Sequence, residues 1–353
     1  MCSVWSRLRL KNLMRCERTD AVFISWMKTV PRAEGIAQAL DARDFRVERL
    51  KHMPRFMLPL RYLLQSLETV AVLRRERPRL IITTNPPVIL PLLVYAFARW
   101  PKADLVIDSH TGAFSGKWKF FLFLHRFLSR RALTTVVTNE TLREQVASWG
   151  APVFVLEDRV PELPIFETEQ TNSCFSIAMI SSFAADEPLG EVLAAARELP
   201  GFRFFITGRI PKRLTQLVAE ASRNVTFTGF LPRSDYVAML SRADAIMVLT
   251  THDATMLCGA YEAAAVGKPL ITSDWSALRS YFSKGAVYVD NSAEGIRRAV
   301  LEIAEQNQRL RSEMCELKSE LTQRWNRRFE DFCKYIDISL KPNDTVVPSR
   351  HHP

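Results

Sequence analysis

No two cysteines in this sequence are spaced as C-x-x-C, and none of the six (Cys2, Cys16, Cys174, Cys258, Cys315, Cys333) has a histidine placed to complete a zinc-ligand spacing. That absence argues against a structural metal, and the scatter fits a reducing, cytosolic setting best. The start of the chain lacks the apolar core of a signal peptide; residues 1–20 carry Arg7, Arg9, Lys11, Arg15 and Arg18 and read as a basic N-terminal arm. No apolar run reaches the roughly 20 residues needed to span a bilayer. The longest, Val88 to Trp100, follows a break at Asn85-Pro86-Pro87, so a soluble or peripheral protein is expected. Neither G-x-G-x-x-G nor G-x-x-x-x-G-K-[ST] occurs, which leaves a dinucleotide cofactor or a P-loop without support. Heptad arrays and repeats of 20–50 residues are also missing.

What is present is an ordinary globular composition, 47% hydrophobic and 24% charged over 353 residues, long enough for two separate cores. The charge is uneven. Residues 1–165 hold 26 Lys and Arg against 15 Asp and Glu, a balance of +11, whereas residues 166–353 hold 22 against 23, a balance of −1. The first half should therefore meet something anionic: a phospholipid surface, a phosphorylated substrate or nucleic acid. No groove-reading motif or aromatic platform accompanies the excess, which argues against nucleic acid.

Short apolar runs alternate with helix-period segments. "AVFISW" (21–26), "LIITT" (80–84), "ADLVIDS" (103–109), "LTTVVT" (133–138) and "VFVLED" (153–158) read as buried parallel strands of one doubly wound domain, 21–158. Residues 159–173, with two prolines and several acids, read as a linker. "FSIAMISS" (175–182), "FRFFITG" (202–208), "VTFTGF" (225–230), "AIMVLTT" (245–251), "PLITSD" (269–274) and "AVYVD" (286–290) then suggest a second such domain, 174–318. A helical pattern from about 292 to 338 follows, with 319–340 placed to cross back onto the first domain, and 341–353 read as a flexible tail.

In open α/β sheets ligands bind beyond the carboxyl ends of the strands, so polar residues that end apolar runs are the first candidates. "LVIDSHTGAFSGKW" puts Asp108 and His110 there, either as a base with its orienting partner or as hydrogen-bonded loop residues. Asn85 before two prolines marks either a structural turn or a functional loop. Asn139 reads as a helix cap. In the second half, Ser182 ends a strand and Asp186-Glu187 open a helix, where acids are favourable without any function. Arg209, at a glycine turn, and Lys212 could reach a diphosphate or simply face solvent. "LTTHDATMLCGAYEAAAVGKPLI" (249–271) starts a helix at small residues. The uncovered N–H groups of Gly259 and Ala260 suit a diphosphate, and Glu262 one turn in could accept from a ribose or sugar diol.

The ordered set of these motifs resembles the GT-B glycosyltransferases of the family-4-like group. "YEAAAVGKPLITSD" is similar to the second half of that family's Glu, seven residues, Glu signature, with Glu262 at the second glutamate and Ala254 where the first would stand. "TNPPVILP", "VIDSHTGAF" and "ISSFAADEPLGEVLAAA" are similar to the chitobiosyl-diphosphodolichol beta-mannosyltransferases, which are inverting. The resemblance implies an α/β GT-B fold of two Rossmann-like domains facing across a cleft. It implies a nucleotide-diphosphate sugar held by the second domain and a lipid-linked or glycan acceptor held by the first. Asp108 or His110 would then be the base. Arg209, Lys212, Thr255, Met256, Gly259 and Glu262 would serve the donor, and Asn85, Ser182 and Asp253 would be acceptor or cleft contacts. No metal and no cofactor is implied. The gap at Ala254 moves the chain away from a standard retaining enzyme and keeps open a non-catalytic partner of a transferase. An epimerase or a phosphorylase is a weaker alternative, since no phosphate site for the latter can be located.

In this light the segment 60–73 is of interest. It carries apolar residues at 60, 63, 64, 67 and 70, with Arg74, Arg75, Arg77 and Arg79 behind. Core packing is the first reading of that stripe, and an interfacial face for anionic lipid is the other.

Overall fold

A computed structural model describes residues 20–27, 31–50, 54–99, 103–164, 174–253 and 255–340. The basic arm (but for Asp20), the tail, Ala254 and most of the linker lie outside the described residues. The chain divides into two compact units, one running to Asp158 and resuming at Trp325, the other comprising Arg159–Arg324.

The first unit is a six-stranded parallel sheet of order β2-β1-β3-β4-β5-β6. Its elements are β1 (Ala21–Ser25), α1 (Pro31–Ala39), β2 (Arg43–Arg46), α2 (Leu58–Glu76), β3 (Leu80–Asn85), α3 (Ile89–Ala98), β4 (Asp104–Ser109), α4 (Leu122–Ser129), β5 (Thr134–Val137), α5 (Glu140–Ser148) and β6 (Val153–Val155). Strands β1 and β3 are buried along their whole length, as continuous apolar runs covered on both faces must be. β2, "RDFR", is an edge strand with its charges outward, which hides it from a search for apolar runs. Both the Asn85–Pro86 and Pro86–Pro87 peptide bonds are cis.

Helix α2 inverts the expected pattern. Leu60, Leu63 and Leu67 face outward, whereas Gln65 and Thr69 are buried. Gln65 Nε2 donates to the Val47 carbonyl at 2.8 Å and Trp26 Nε1 donates to Thr69 Oγ1 at 2.9 Å, while Gln65 Oε1 has no partner among the described residues. The apolar stripe is therefore not core, which corrects the packing reading.

The second unit has the order β12-β11-β10-β7-β8-β9, again all parallel. It comprises β7 (Phe175–Met179), α6 (Leu189–Arg197), β8 (Phe202–Thr207), α7 (Thr215–Ala219), β9 (Val225–Gly229), α8 (Arg233–Arg242), β10 (Ala245–Val248), α9 (Cys258–Val266), β11 (Leu270–Ser273), α10 (Ser276–Tyr281), β12 (Ala286–Val289) and α11 (Ala293–Glu305). The last helical pattern is two helices, α11 and α12 (Asn307–Leu340), separated at Gln306. Met314, Leu317 and Leu321 of α12 fill the second unit's core, and Trp325, Phe329, Phe332 and Ile336 fill that of the first. Asn139 caps α5 as expected, its Oδ1 accepting from Leu142 N–H at 3.0 Å.

Candidate active site

In the first unit the register sets Thr84 beside Asp108 and Asn85 beside Ser109 at the carboxyl edge of the sheet. Asp108 is fully buried, and its Oδ1 accepts from Arg32 Nε at 2.8 Å. Arg32, also buried, extends from α1 to donate a second bond from Nη1 to Asp158 Oδ1 at 2.8 Å. Burial alone would raise the Asp108 pKa; the charge of Arg32, then that of His110, overrides it and holds the carboxyl at about 2. His110 Nε2 stands 3.3 Å from Asp108 Oδ2, near enough for an ionic contact but off line for a well-formed hydrogen bond. The His110 side chain remains partly exposed while its Asp108 partner is sealed.

Asn85 reaches no surface. Its carbonyl accepts from His110 N–H at 2.9 Å and its Nδ2 lies 3.5 Å from Ser109 Oγ, so it braces the loop that bears His110 and is not exposed as an acceptor contact. Ser109 Oγ in turn meets His125 Nε2 at 2.9 Å, between the rings of Phe114 and Trp149. Burial lowers the His125 pKa to about 4, so this imidazole is neutral.

In the second unit Glu262 sits in the second turn of α9. Its Oε2 accepts from Tyr236 Oη of α8 at 2.5 Å. Burial raises the Glu262 pKa, and the Tyr236 hydrogen bond opposes that rise. Thr255 and Met256 are half-buried ahead of the helix, and Asp253 is exposed. Gly259 also has a packing role. A Cβ there would meet Ile180 Cδ1 and Val248 Cγ2, each at 3.0 Å, so its missing side chain serves close packing of α9 on the sheet. The buried alanines 263–265 serve the same packing. At the start of α9 the N-cap residue Leu257 makes no side-chain cap, and Ala260 N–H donates to the Leu257 carbonyl at 3.0 Å, which leaves the Gly259 N–H as the first-turn group to offer a ligand.

Arg209 and Lys212 are exposed on the loop after β8. Gly208, at φ +109, lets that loop pass the end of β7, where a Cβ would fall 2.3 Å from the Ser181 carbonyl oxygen. Ser182 is not free to meet a ligand through its polar groups: its N–H and hydroxyl both donate to Glu187 Oε1, at 3.0 and 2.7 Å, and Phe183 N–H donates to Oε2 at 2.9 Å. Asp186 accepts from Thr250 Oγ1 at 2.8 Å, which ties this loop to the end of β10. The sequence did not point to Arg32, Asp158 or Tyr236, and Glu187 read only as a helix-start acid. Each acts through a partner distant along the chain or, for Glu187, through loop amides, and only a buried Arg32 would have been anomalous had burial been readable.

Among the described residues no group of three or more His, Cys, Asp or Glu could hold a metal ion, and no helix is long and apolar enough to cross a membrane. Residues 15–155 match a family described as "Glycosyl transferase 4-like domain", and residues 190–334 match one described as "Glycosyl transferase-like". The chain holds a glycosyl transferase 4-like domain followed by a glycosyl transferase-like one. Solved structures agree on the fold. Sucrose-phosphate synthase from Thermosynechococcus elongatus is 14% identical with a TM-score of 0.67, over 88% of this chain and 84% of that one. HepE from Anabaena, in complex with UDP and glucose, is 10% identical with a TM-score of 0.67, over 90% and 99%. A putative UDP-N-acetylglucosamine 2-epimerase from Listeria monocytogenes is 11% identical with a TM-score of 0.60, over 93% and 99%. No curated protein matches the sequence. For this GT-B chain, then, the site residues and not the fold must choose the chemistry.

Proposed function

We propose that this chain transfers a hexose from a nucleotide-diphosphate donor to a hydroxyl of a lipid-linked or polysaccharide-precursor glycan, without a metal, at the cytoplasmic face of a membrane. The observation that supports it most is Glu262, a half-buried carboxylate held by Tyr236 just behind an uncapped helix start. With Oε2 occupied by Tyr236, Oε1 is left to accept from the ribose hydroxyls. The Gly259 N–H at the start of α9, with Arg209 and Lys212, stabilises the departing diphosphate. Structures of HepE hold UDP and UDP-glucose, which makes a uridine nucleotide the first donor to try.

On the acceptor side the geometry favours His110 over Asp108 as the base, because Asp108 is sealed and already neutralised by Arg32. The acceptor oxygen attacks the anomeric carbon, the bond to the diphosphate breaks, the nucleoside diphosphate leaves, and the hydroxyl proton passes to His110. Asp108 stays anionic, orients the ring and stabilises its charged form. Inversion belongs to this proposal, supported by the similarity to inverting beta-mannosyltransferases. His110→Ala should abolish transfer yet retain nucleotide affinity, and full activity in that variant would remove the assignment. Undiminished turnover in chelator is expected; a strict need for added divalent cation would refute the metal-free course.

A second reading is a non-catalytic partner of a transferase. It is favoured by Ala254, which stands where related enzymes carry a sugar-gripping glutamate. Nucleotide-sugar binding with no transfer and no donor hydrolysis would select it.

A further inference from the structure

The first unit exposes more large apolar surface than a solvated face requires. Shortly after His110, a 3-10 turn (Gly116–Phe121) and α4 turn four phenylalanines outward, with Phe120 82% and Phe123 71% exposed, and Phe121 and Phe127 less so. Within this stretch positions 120, 123 and 127 share helical spacing, while His125, Leu128 and Ser129 fill the buried side of α4. Phe127 is edge-on to Tyr95 of α3 at 5.9 Å and carries the Arg131 guanidinium 3.8 Å above its ring. Helix α3 has no charged residue and touches both α4 and α2, and α2 adds the outward Leu60, Leu63 and Leu67.

The charge beside this face has one sign. From Ser109 to Asn139 the chain holds no Asp or Glu, whereas Lys117, Lys119, Arg126, Arg130 and Arg131 are all exposed. A second copy of the chain docked through the same face would set these five cations against five more. An anionic bilayer has no such difficulty: phenyl rings enter the acyl boundary while ammonium and guanidinium groups sit at the phosphates. We infer that the outward face of residues 116–131, continued by α3 and α2, docks on an anionic lipid surface. The cationic site therefore lies beside α4, whereas at the α2 end Glu76 already takes up Arg75 and Arg43. This surface rests on the exposed face alone and stands whether or not the chain transfers sugar.

The test needs no donor. The full chain is floated with vesicles of phosphatidylcholine plus phosphatidylglycerol, and with phosphatidylcholine alone, beside the variants Phe120→Ser/Phe123→Ser and Lys117→Glu/Lys119→Glu. Because the substituted side chains are exposed, both variants should unfold at the wild-type temperature. The wild type should float with the anionic vesicles, less so in high salt, and the phenylalanine variant should lose at least about tenfold in partition. Charge reversal should remove the preference for anionic lipid. Three results would overturn the inference: no flotation of the wild type, flotation of both variants at the wild-type level, or a wild-type dimer that the phenylalanine variant splits while neither floats.

Discussion

Replacing Arg32 with methionine removes the buried guanidinium that does most to neutralise Asp108, and leaves His110 beside it. The guanidinium is 6% exposed as a residue and bonds Asp108 and Asp158 at 2.8 Å each, while Asp108 is 0% exposed. Breaking a buried pair by removing one partner costs about 3–5 kcal/mol, because the remaining carboxylate cannot recover its hydration. Within that sum, the depression of Asp108 from its ordinary 3.8 to about 2 corresponds to about 2 kcal/mol. The sign follows from linkage. A depressed carboxyl stabilises the native state above its unfolded pKa, and that contribution is lost as the pH falls from 3.8 towards 2. In Arg32→Met, burial is no longer opposed by the guanidinium, so the Asp108 pKa rises and the native state binds a proton earlier than in wild type. The deficit of the variant should thus be largest near neutrality and narrow as the pH is lowered to about 4. Adding Asp108→Asn to Arg32→Met should recover part of the loss, since the fully buried carboxylate is then gone and only the less buried Asp158 has lost the guanidinium. Urea unfolding at both pH values, followed by circular dichroism, reads all three. A deficit below about 1 kcal/mol that does not change with pH would refute the reasoning, since that is the worth of an exposed pair.

Other predictions concern single positions. Gly208→Ala should be more destabilising than Gly259→Ala in thermal unfolding, because the former sets a Cβ 2.3 Å from a carbonyl oxygen at φ +109 and the latter meets only side chains at 3.0 Å. His125, held neutral with a pKa of about 4 against an ordinary 6.5, makes the protein lose about 3 kcal/mol as the pH falls from 6.5 to 4, since the unfolded chain takes the proton first. His125→Gln should flatten that limb, and an unchanged acid profile would show that the ring is hydrated. Tyr236→Phe removes a charge-assisted bond to Glu262 and should weaken nucleotide binding by about tenfold with little change in unfolding temperature, as calorimetry and a thermal melt can check.

The two sheets were legible because parallel strands covered on both faces are written as apolar runs, and eleven of these runs correspond to strands in the structure. β2 was missed for the converse reason, as its edge position allows "RDFR". In α2 the helical period was right but the buried face was not. Nothing in one dimension shows that Val47 O and Trp26 Nε1 lie ready to meet Gln65 and Thr69. Asp108 and His110 could be found from their place at a strand end. Arg32 could not, because its two partners lie 76 and 126 residues away. Glu187 read as a helix-start acid, yet its carboxylate collects the amides of the preceding loop, an arrangement set by backbone conformation at Phe183 (φ 56) that composition does not encode. Small residues at the start of α9 suggested ligand approach, and at Gly259 they also record the closeness of helix to sheet.

The central claim is that the second unit holds a nucleotide-diphosphate sugar through Glu262, and calorimetric titration of the full chain with UDP, GDP, ADP and dTDP and their sugars tests it most directly. One nucleotide should bind saturably, and Glu262→Ala should weaken that binding by about tenfold to a hundredfold while leaving the unfolding temperature close to wild type. Binding of none of them, or equal affinity in Glu262→Ala, would contradict it.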